Sequence, residues 1–441
     1  GPAARAHRTQ VDKSRRLRRL PNTGDRAKKL PPRHAYCEKM LAIALCERKM
    51  QLIVIKLRKP QWRIAMKIGV IKEIKTHEYR VALTPDCVRS YVSRGHQVTV
   101  EQDAGVAAGF ANEEYAAAGG TIEPNKRAIF DRCEMIVKVK EPLESEYGLF
   151  HKGQILFTYL HLAACGELTR ALLAAGVKGV AYETIETDEG RLPCLRPMSE
   201  IAGRLAVQEA AKYLEKPFGG RGVLLGGVPG IRAAKVGIIG GGIVGMNACK
   251  IALGMGADVT ILDVDSGRLA YLDDIFNMSV TTLYSTEGNI DAVLRESDVI
   301  IGAVLVPGAK APMLVKRSQL PMMKRGAVMV DVAVDQGGCF ETTHPTTHDK
   351  PVFIEEGVVH YCVANMPGAV ALSSTRALTS ATLPFGLKIA ELGLEETCRQ
   401  SRAIARGVNV YAGKCTHQAV ARAFGLQYAG LAEIMEATGA A

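Results

Sequence analysis

The sequence lacks the cysteine patterns of disulfide-rich and metal-binding proteins. Its eleven cysteines are scattered along 441 residues, with no C-x-x-C pair and no Cys/His cluster at metal-ligand spacing. This distribution predicts buried, reduced thiols in a cytoplasmic protein without a metal site. The chain also lacks the G-x-S-x-G, H-E-x-x-H and Walker A patterns, which argues against the hydrolases, metalloproteases and P-loop proteins that carry them.

Long apolar runs are also missing: none reaches the about 18 residues that a membrane-spanning helix needs. The chain is nevertheless 47% hydrophobic, which is enough for two or three cores. Its net charge of +11 is uneven, because residues 1–65 hold 18 Lys and Arg against 4 Asp and Glu, while the remainder holds 38 against 41. The body of the chain therefore predicts neither a membrane partner nor a nucleic-acid partner.

Residues 1–65 form a basic, acid-poor segment that we predict to be mostly disordered and outside the fold. Three interpretations are open. The segment is a non-native extension from an upstream start or a gene-model error, a transit peptide of the arginine-rich kind, or a basic arm that binds nucleic acid or acidic surfaces.

Glycine is abundant, and its most informative use is the pattern Gly240-x-Gly242-x-x-Gly245 directly after a buried strand. Gly240 permits the tight turn, Gly242 lets a pyrophosphate approach the backbone, and Gly245 lets the following helix pack closely. A second apolar run ends in Asp263, whose carboxylate can accept hydrogen bonds from a ribose 2′-OH and would repel a 2′-phosphate. The combination predicts NAD rather than NADP as cofactor, and a purely structural glycine turn is the alternative.

Strand and helix patterns alternate from Met66 onward, which predicts an α/β fold with two Rossmann-like, doubly wound parallel sheets. Residues 199–214 predict a long helix with Ser199 as its N-cap, and the pattern after Pro367 predicts helices to the C-terminus. The predicted strands are 67–71, 97–100, 135–139, 157–160, 235–239, 299–302 and 327–330.

The dinucleotide motif lies in the middle of the chain, with α/β pattern before it. We therefore predict a discontinuous outer domain of residues 66–193 plus 372–436, with an NAD-binding domain of residues 194–371 inserted into it. Ligand sites favour domain interfaces, so the cleft between the two is the expected active site.

Three candidate residues lie at or just after the ends of buried strands. Lys138 and Lys140 share one face of a strand end, where a lysine can bind a carboxylate or polarise a carbonyl. His161 lies in an apolar setting just after a strand and could transfer protons near neutral pH. Solvated lysines and a hydrogen-bonded core histidine are the alternatives.

Two further candidates could bind or stabilise charge. Arg80 precedes an apolar turn and could clamp a small carboxylate with its planar fork, or form a surface ion pair. Asp335 follows a strand and precedes a glycine turn, where it could face a ligand or cap the turn. Asp331 within that strand could equally be structural.

Taken together, these segments resemble the alanine dehydrogenase family over residues 66 to about 436. The resemblance is carried by many segments in order: EIK at 73–75, RVALTP at 80–85, VKVKEP at 137–142, GQILFTYLHLA at 153–163, PMSE at 197–200, GGVPG at 226–230, GAVLVPGAKAP at 302–312, DQGGCFE at 335–341 and YCVANMP at 361–367.

The resemblance implies reversible oxidative deamination of L-alanine to pyruvate and ammonia with NAD, by an enzyme that is typically a homo-hexamer. It implies substrate binding by Arg80 and Lys140, and catalysis by His161, Asp335 and Lys140. The implied cofactor contacts are Ser199, Asp263, Asn365 and Met366. The alternative is a non-catalytic NAD-binding module that resembles the soluble part of proton-translocating transhydrogenase.

Overall fold

The computed structural model describes residues 65–304 and 312–437. The predicted N-terminal extension therefore lies outside the described residues, apart from its last position. Within the described part, the chain forms two mainly parallel β-sheets with helices on both faces. This architecture confirms the predicted α/β class with two doubly wound sheets.

The first sheet takes its strands from both ends of the described chain, in the order β15-β14-β6-β5-β4-β1-β2-β3. Strands β1 to β6 run parallel to one another, and β14 and β15 join antiparallel at one edge. The strands are β1 (Lys67–Val70), β2 (Gln97–Glu101), β3 (Thr121–Glu123), β4 (Met135–Val137), β5 (Ile155–Thr158), β6 (Lys178–Ala181), β14 (Val408–Tyr411) and β15 (Lys414–Cys415).

The second sheet lies entirely between these two groups in sequence, in the order β12-β13-β11-β10-β7-β8-β9. Only the β12–β13 pair is antiparallel. The strands are β7 (Lys235–Ile239), β8 (Asp258–Asp263), β9 (Thr281–Tyr284), β10 (Val299–Gly302), β11 (Val328–Asp331), β12 (Val352–Glu355) and β13 (Val358–Tyr361).

Helices cover both faces of each sheet. Those of the first sheet are α1 (Pro85–Val92), α2 (Asn112–Ala117), α3 (Lys126–Arg132), α4 (Glu144–Tyr147), α5 (Gly166–Ala175), α10 (Ala371–Leu392), α11 (Leu394–Gln400), α12 (Arg402–Gly407), α13 (Gln418–Phe424) and α14 (Leu431–Ala437). Those around the second are α6 (Arg196–Tyr213), α7 (Ile243–Gly254), α8 (Ser266–Phe276) and α9 (Glu287–Glu296).

Each sheet separates two hydrophobic clusters, one on each face, because the strands of a parallel sheet are buried on both sides. The long helix α6 connects the two halves: it packs on α7 beside the second sheet and on α10 beside the first. The carboxyl ends of β1 and β4 meet where the strand order of the first sheet reverses, and those of β7 and β10 meet at the corresponding point of the second. Ligands of doubly wound sheets bind at such points.

Two local predictions are wrong. Helix α6 begins at Arg196 and not at Ser199, because Pro197 fits the first helical turn, where a missing N–H costs nothing. Ser199 is therefore inside the helix rather than its N-cap. The segment after Pro367 is not helical throughout, since β14 and β15 return to the edge of the first sheet.

In the described part of the chain, no helix combines the length and the apolar character needed to cross a bilayer. The nine cysteines that fall within it are all unpaired, and only Cys165 is not fully buried.

Candidate active site

The glycine turn after β7 has the geometry that its sequence predicts. Gly240 has φ +106°, and a Cβ there would lie 2.8 Å from the Ala303 backbone. A Cβ on Gly245 would lie 1.8 Å from the Gly240 carbonyl oxygen, so only glycine lets α7 pack this closely on the turn. Gly242 differs, since nothing lies within 4 Å of the Cβ position there. The free N-terminus of α7 therefore opens onto space that a pyrophosphate could occupy.

This difference gives a matched pair of variants. We expect Gly242→Ala to weaken NADH binding by at least about tenfold, the value of one lost hydrogen bond to a charged phosphate, with an unchanged unfolding midpoint. Gly245→Ala should instead lower the unfolding midpoint itself, because its Cβ meets backbone. Fluorescence titration with NADH and thermal unfolding of both variants check this. A Gly242→Ala variant that binds NADH normally would contradict the assignment of the turn.

Asp263 closes β8 beside this turn. Its Oδ2 accepts a hydrogen bond from the Gly241 N–H at 2.6 Å, and its Oδ1 accepts one from the Asp265 N–H at 2.9 Å. The carboxylate is thus held at the strand end, half-buried, where a ribose would lie next to a pyrophosphate on α7.

Arg80 follows β1 and is buried, with only 3% of its surface exposed. Its Nε donates to the Glu78 carboxylate at 2.6 Å, and its Nη1 lies 3.0 Å from the Met198 sulfur. Although burial alone would lower it, the pKa of Arg80 is raised by Glu78, and Arg80 correspondingly lowers the pKa of Glu78 against the effect of burial. The alternative interpretation of Arg80, a surface ion pair, does not hold. Arg80 forms a buried ion pair with Glu78 that fixes the guanidinium.

Asn365 joins the two sheets at this arginine. It follows β13 of the second sheet, and its side chain accepts from Arg80 Nη2 at 3.1 Å and donates to Glu78 at 3.0 Å. Met366 turns away, with its side chain buried in the core of the second sheet. Ser199 lies half-buried on α6, next to the Met198 that contacts Arg80.

The two lysines after β4 have different surroundings. Lys138 is fully buried between Glu73 and Glu146, each at 3.2 Å from its Nζ. Lys140 is half-buried, and its pKa is lowered mainly by burial and also by Arg80, against the opposing effect of Glu141. Glu73 also accepts hydrogen bonds from the Val139 N–H at 2.6 Å and the Lys140 N–H at 3.2 Å. Lys138 is therefore part of the scaffold, and Lys140 faces the cleft side of the structure.

His161 lies three residues beyond β5 and adopts the left-handed backbone conformation, with φ +46° and ψ +35°. Its ring stacks on the Tyr159 ring, with centroids 5.8 Å apart and planes inclined by 14°. The ring is half-buried. The imidazole is thus oriented by its neighbour while one edge stays accessible.

Asp335 lies on a short 3₁₀ turn, Val334–Gln336, after β11. Its carboxylate is open to solvent, yet the protein around it raises its pKa by desolvation, against the attraction of His161 and Lys140. Asp331 at the end of β11 is fully buried and organises this turn: it accepts from the Ala333 N–H and the Cys339 N–H, each at 3.0 Å. Asp331 therefore has the structural role that was one of its two interpretations from the sequence: it holds the turn after β11.

The four predicted chemical groups converge. The charges of His161 and Lys140 act on Asp335, the charge of Arg80 acts on Lys140, and Glu141 feels both Lys140 and His161. These groups come from the ends of strands in both sheets. Two cations, an imidazole and an acid therefore lie within electrostatic reach of one another, and the glycine turn after β7 lies at the same edge of the second sheet as the turn that carries Asp335.

Sequence reasoning missed several residues that shape this site. Arg268, in the first turn of α8, donates to the carbonyl oxygens of Gly241 and Gly242, and its guanidinium lies 4.9 Å from the Tyr271 ring centroid. The sequence gives only a weak indication that Arg268 contacts the glycine turn, namely its position five residues after Asp263. Glu78 was detectable in the same way, as an acid two residues before Arg80.

Two family models match the chain. The model described as "Alanine dehydrogenase/PNT, N-terminal domain" covers residues 69–202, and the one described as "Alanine dehydrogenase/PNT, C-terminal domain" covers residues 206–418.

Curated relatives match over nearly their full length. The chain is 54% identical over 370 residues to the alanine dehydrogenase of Halomonas elongata, which covers 84% of this chain and 100% of that protein. It is 55% identical over 364 residues to the alanine dehydrogenase of Methanococcus maripaludis, which covers 82% and 98%.

Solved structures give the same result. One described as L-alanine dehydrogenase superposes with a TM-score of 0.79 at 52% identity, covering 82% of this chain and 99% of that one. A transhydrogenase from Sinorhizobium meliloti superposes with a TM-score of 0.69 at 24% identity, covering 80% and 99%, and so shares the fold.

Proposed function

Because the chain belongs to the alanine dehydrogenase family, we propose that it catalyses the reversible, NAD-dependent oxidative deamination of L-alanine to pyruvate and ammonia. The observation that supports the proposal is that Arg80, Lys140, His161 and Asp335, which follow strands of both sheets, lie within electrostatic reach of one another, and that the glycine turn lies at the same carboxyl edge of the second sheet as Asp335. The alternative of a non-catalytic transhydrogenase-like module is not supported, since the close relatives are alanine dehydrogenases.

Arg80 and Lys140 bind the substrate carboxylate in this proposal. Arg80 is held in place by Glu78, so its orientation does not depend on the substrate. Lys140 is half-buried, and its pKa is lowered mainly by burial, against the opposing effect of Glu141. A lysine cation in this position can bind a carboxylate or polarise the adjacent oxo group.

His161 and Asp335 carry the proton and charge chemistry. His161 accepts a proton from the substrate ammonium and releases it to solvent. It then accepts a proton from the water that adds to the iminium carbon, gives that proton to the carbinolamine nitrogen, and takes the hydroxyl proton as ammonia leaves and the carbonyl group of pyruvate forms. Asp335 stabilises the positive charge that develops on the reacting centre, and the carbinolamine then loses ammonia.

The cofactor fits the residues present. Gly242 leaves room at the N-terminus of α7, and the carboxylate of Asp263 lies at the ribose position. When bound, NAD supplies the acceptor for the hydride that leaves the alanine α-carbon. Ser199, Asn365 and Met366 are proposed as further contacts, and the buried side chain of Met366 restricts its contact to the backbone.

We propose residues 194–371 as the NAD-binding domain and residues 66–193 plus 372–436 as the substrate domain. All strands of the second sheet fall in the first range, and all strands of the first sheet fall in the second. A homo-hexameric assembly, a cytoplasmic location and alanine catabolism as the physiological direction are proposed from the family alone.

The test is the absorbance of reduced nicotinamide, followed with the purified full chain, L-alanine and either NAD or NADP. Alanine-dependent reduction of NAD, and reductive amination of pyruvate in the presence of ammonia and NADH, are expected. If NADH binds but no small amino acid is turned over, the proposal fails and a binding module becomes the better description.

Replacing Asp263 by alanine tests the cofactor assignment. We expect the KM for NAD to rise and the activity with NADP to increase, because the ribose contact and the repulsion of a 2′-phosphate disappear together. The ratio of kcat/KM values for the two cofactors measures this. Asp265→Ala is the matched control, since it removes a nearby acid that caps α8. An unchanged ratio in Asp263→Ala would contradict the assignment.

A further inference from the structure

The backbone at His161 needs an explanation. Its left-handed conformation is uncommon for a residue other than glycine, and such residues persist only when their surroundings hold them. The backbone conformation at a residue sets the direction in which its side chain leaves the chain, and the His161 ring lies within electrostatic reach of Asp335. Whatever stabilises the turn therefore determines where the ring lies.

The side chain of Glu183 makes the contact that holds this turn. Its Oε1 accepts from the His161 N–H at 2.6 Å and from the Leu160 N–H at 3.1 Å, and its Oε2 lies 3.2 Å from the Leu160 nitrogen. Two consecutive amides thus point at one carboxylate. Hydrogen bonds to an ionised acceptor are about twice as strong as neutral ones.

The fold brings the two segments together. Strands β5 and β6 are parallel neighbours, with Thr158 opposite Ala181, so the residues just beyond both strands meet at one edge. Glu183 lies on the 3₁₀ turn Tyr182–Thr184 after β6. The Nδ2 of Asn409 on β14 donates to Thr184 Oγ1 at 2.7 Å, which ties this turn to the returning C-terminal strand.

We propose that Glu183 is a positioning residue for His161: its carboxylate binds the Leu160 and His161 amides and so fixes the left-handed turn that directs the imidazole into the cleft. This inference rests on the proposed function, because it assigns His161 a role in turnover. Glu183 itself takes no part in the chemistry. Its effect on turnover depends entirely on its positioning of His161.

The experiment compares Glu183→Ala and Glu183→Gln in the full chain. Glu183→Ala should lower kcat about 10- to 100-fold, as loss of an orienting partner typically does, with little change in the KM for NAD. The kcat of Glu183→Gln should lie between that of Glu183→Ala and that of the wild type. Its amide oxygen can still accept both bonds, but its NH₂ group would face the Leu160 N–H and the charge is lost.

A double variant separates positioning from general stability. If Glu183 acts through His161, then Glu183→Ala should cost nothing further in a His161→Ala background. Hydrogen exchange should accelerate in peptides that contain residues 160–161 and stay unchanged elsewhere. Additive losses in the double variant, or wild-type kcat in Glu183→Ala, would overturn the inference.

The remaining outcomes are also decisive. If Glu183→Ala does not fold, a wild-type kcat in Glu183→Gln overturns the role of the carboxylate, and a reduced kcat with normal NADH binding supports it. If the wild type does not turn over alanine, the proposed function fails. The exchange of residues 160–161 in Glu183→Gln then still decides whether the carboxylate holds the turn.

Discussion

Replacing His161 by alanine is expected to lower kcat by about 10³-fold in both directions of the reaction. Imidazole is the side-chain group most often used for general acid–base catalysis, and His161 lies within electrostatic reach of Asp335 and Glu141. Its ring is stacked on Tyr159 and its backbone N–H is bound by Glu183, so the imidazole is held in one orientation that alanine cannot replace. Steady-state rates with L-alanine and with pyruvate plus ammonia measure the loss.

Binding of NADH is the necessary control for this variant. His161 follows β5 of the first sheet, whereas the glycine turn and Asp263 belong to the second, so NADH affinity by fluorescence should stay unchanged. The matched variant is His151→Ala, which removes an exposed histidine upstream of β5. Normal turnover in His161→Ala, or a parallel loss of NADH binding, would contradict its role.

The fold and the cofactor turn could be predicted because their signals are local. The glycine pattern, the preceding strand and Asp263 lie within 29 residues of one another, and each glycine has a steric reason that sequence alone supplies. Buried parallel strands also give strong apolar runs, which is why the central strands β1, β4, β7 and β10 were predicted.

The supporting contacts could not be predicted because they depend on tertiary pairing. Lys138 and Lys140 look equivalent in the sequence, and the ion pairs of Lys138 with Glu73 and Glu146 distinguish them. Likewise, Glu183 is 22 residues from His161 along the chain, and their contact follows from the neighbouring positions of β5 and β6. The strand β14 was missed for the same reason, since it is stabilised by the sheet edge that it joins.

The two lysines after β4 give the second large expected effect, this time on stability. Replacing Lys138 by methionine should lower the free energy of unfolding by about 3–5 kcal/mol, because it leaves the buried carboxylate of Glu73 without this cation, while Glu146 keeps its ion pair with Lys126. Burial alone would lower the pKa of Lys138, but Glu73 and Glu146 outweigh it and raise that pKa. The pKa of Glu73 is raised by burial in spite of Lys138, so this carboxylate depends on the lysine to remain charged.

Urea unfolding of Lys138→Met measures the loss, with Lys316→Met as the matched control. Lys316 pairs with Glu287 on the surface, where both side chains are mostly exposed, and its removal should leave the unfolding midpoint unchanged. Adding Glu73→Gln to Lys138→Met should recover part of the stability, because a neutral amide replaces an unpaired carboxylate. Equal midpoints for Lys138→Met and the wild type would show that the buried network contributes nothing.

Lys140→Met should have the opposite profile, although the two lysines are only two positions apart. Burial lowers the pKa of Lys140, so its cation is held at a cost, and methionine should leave stability unchanged or slightly higher. Turnover of alanine should nevertheless be abolished while NADH still binds, because the substrate carboxylate loses one of its two cations. If Lys140→Met is as unstable as Lys138→Met, or if it still turns over alanine, the assignment of Lys138 to the scaffold and Lys140 to the substrate is wrong.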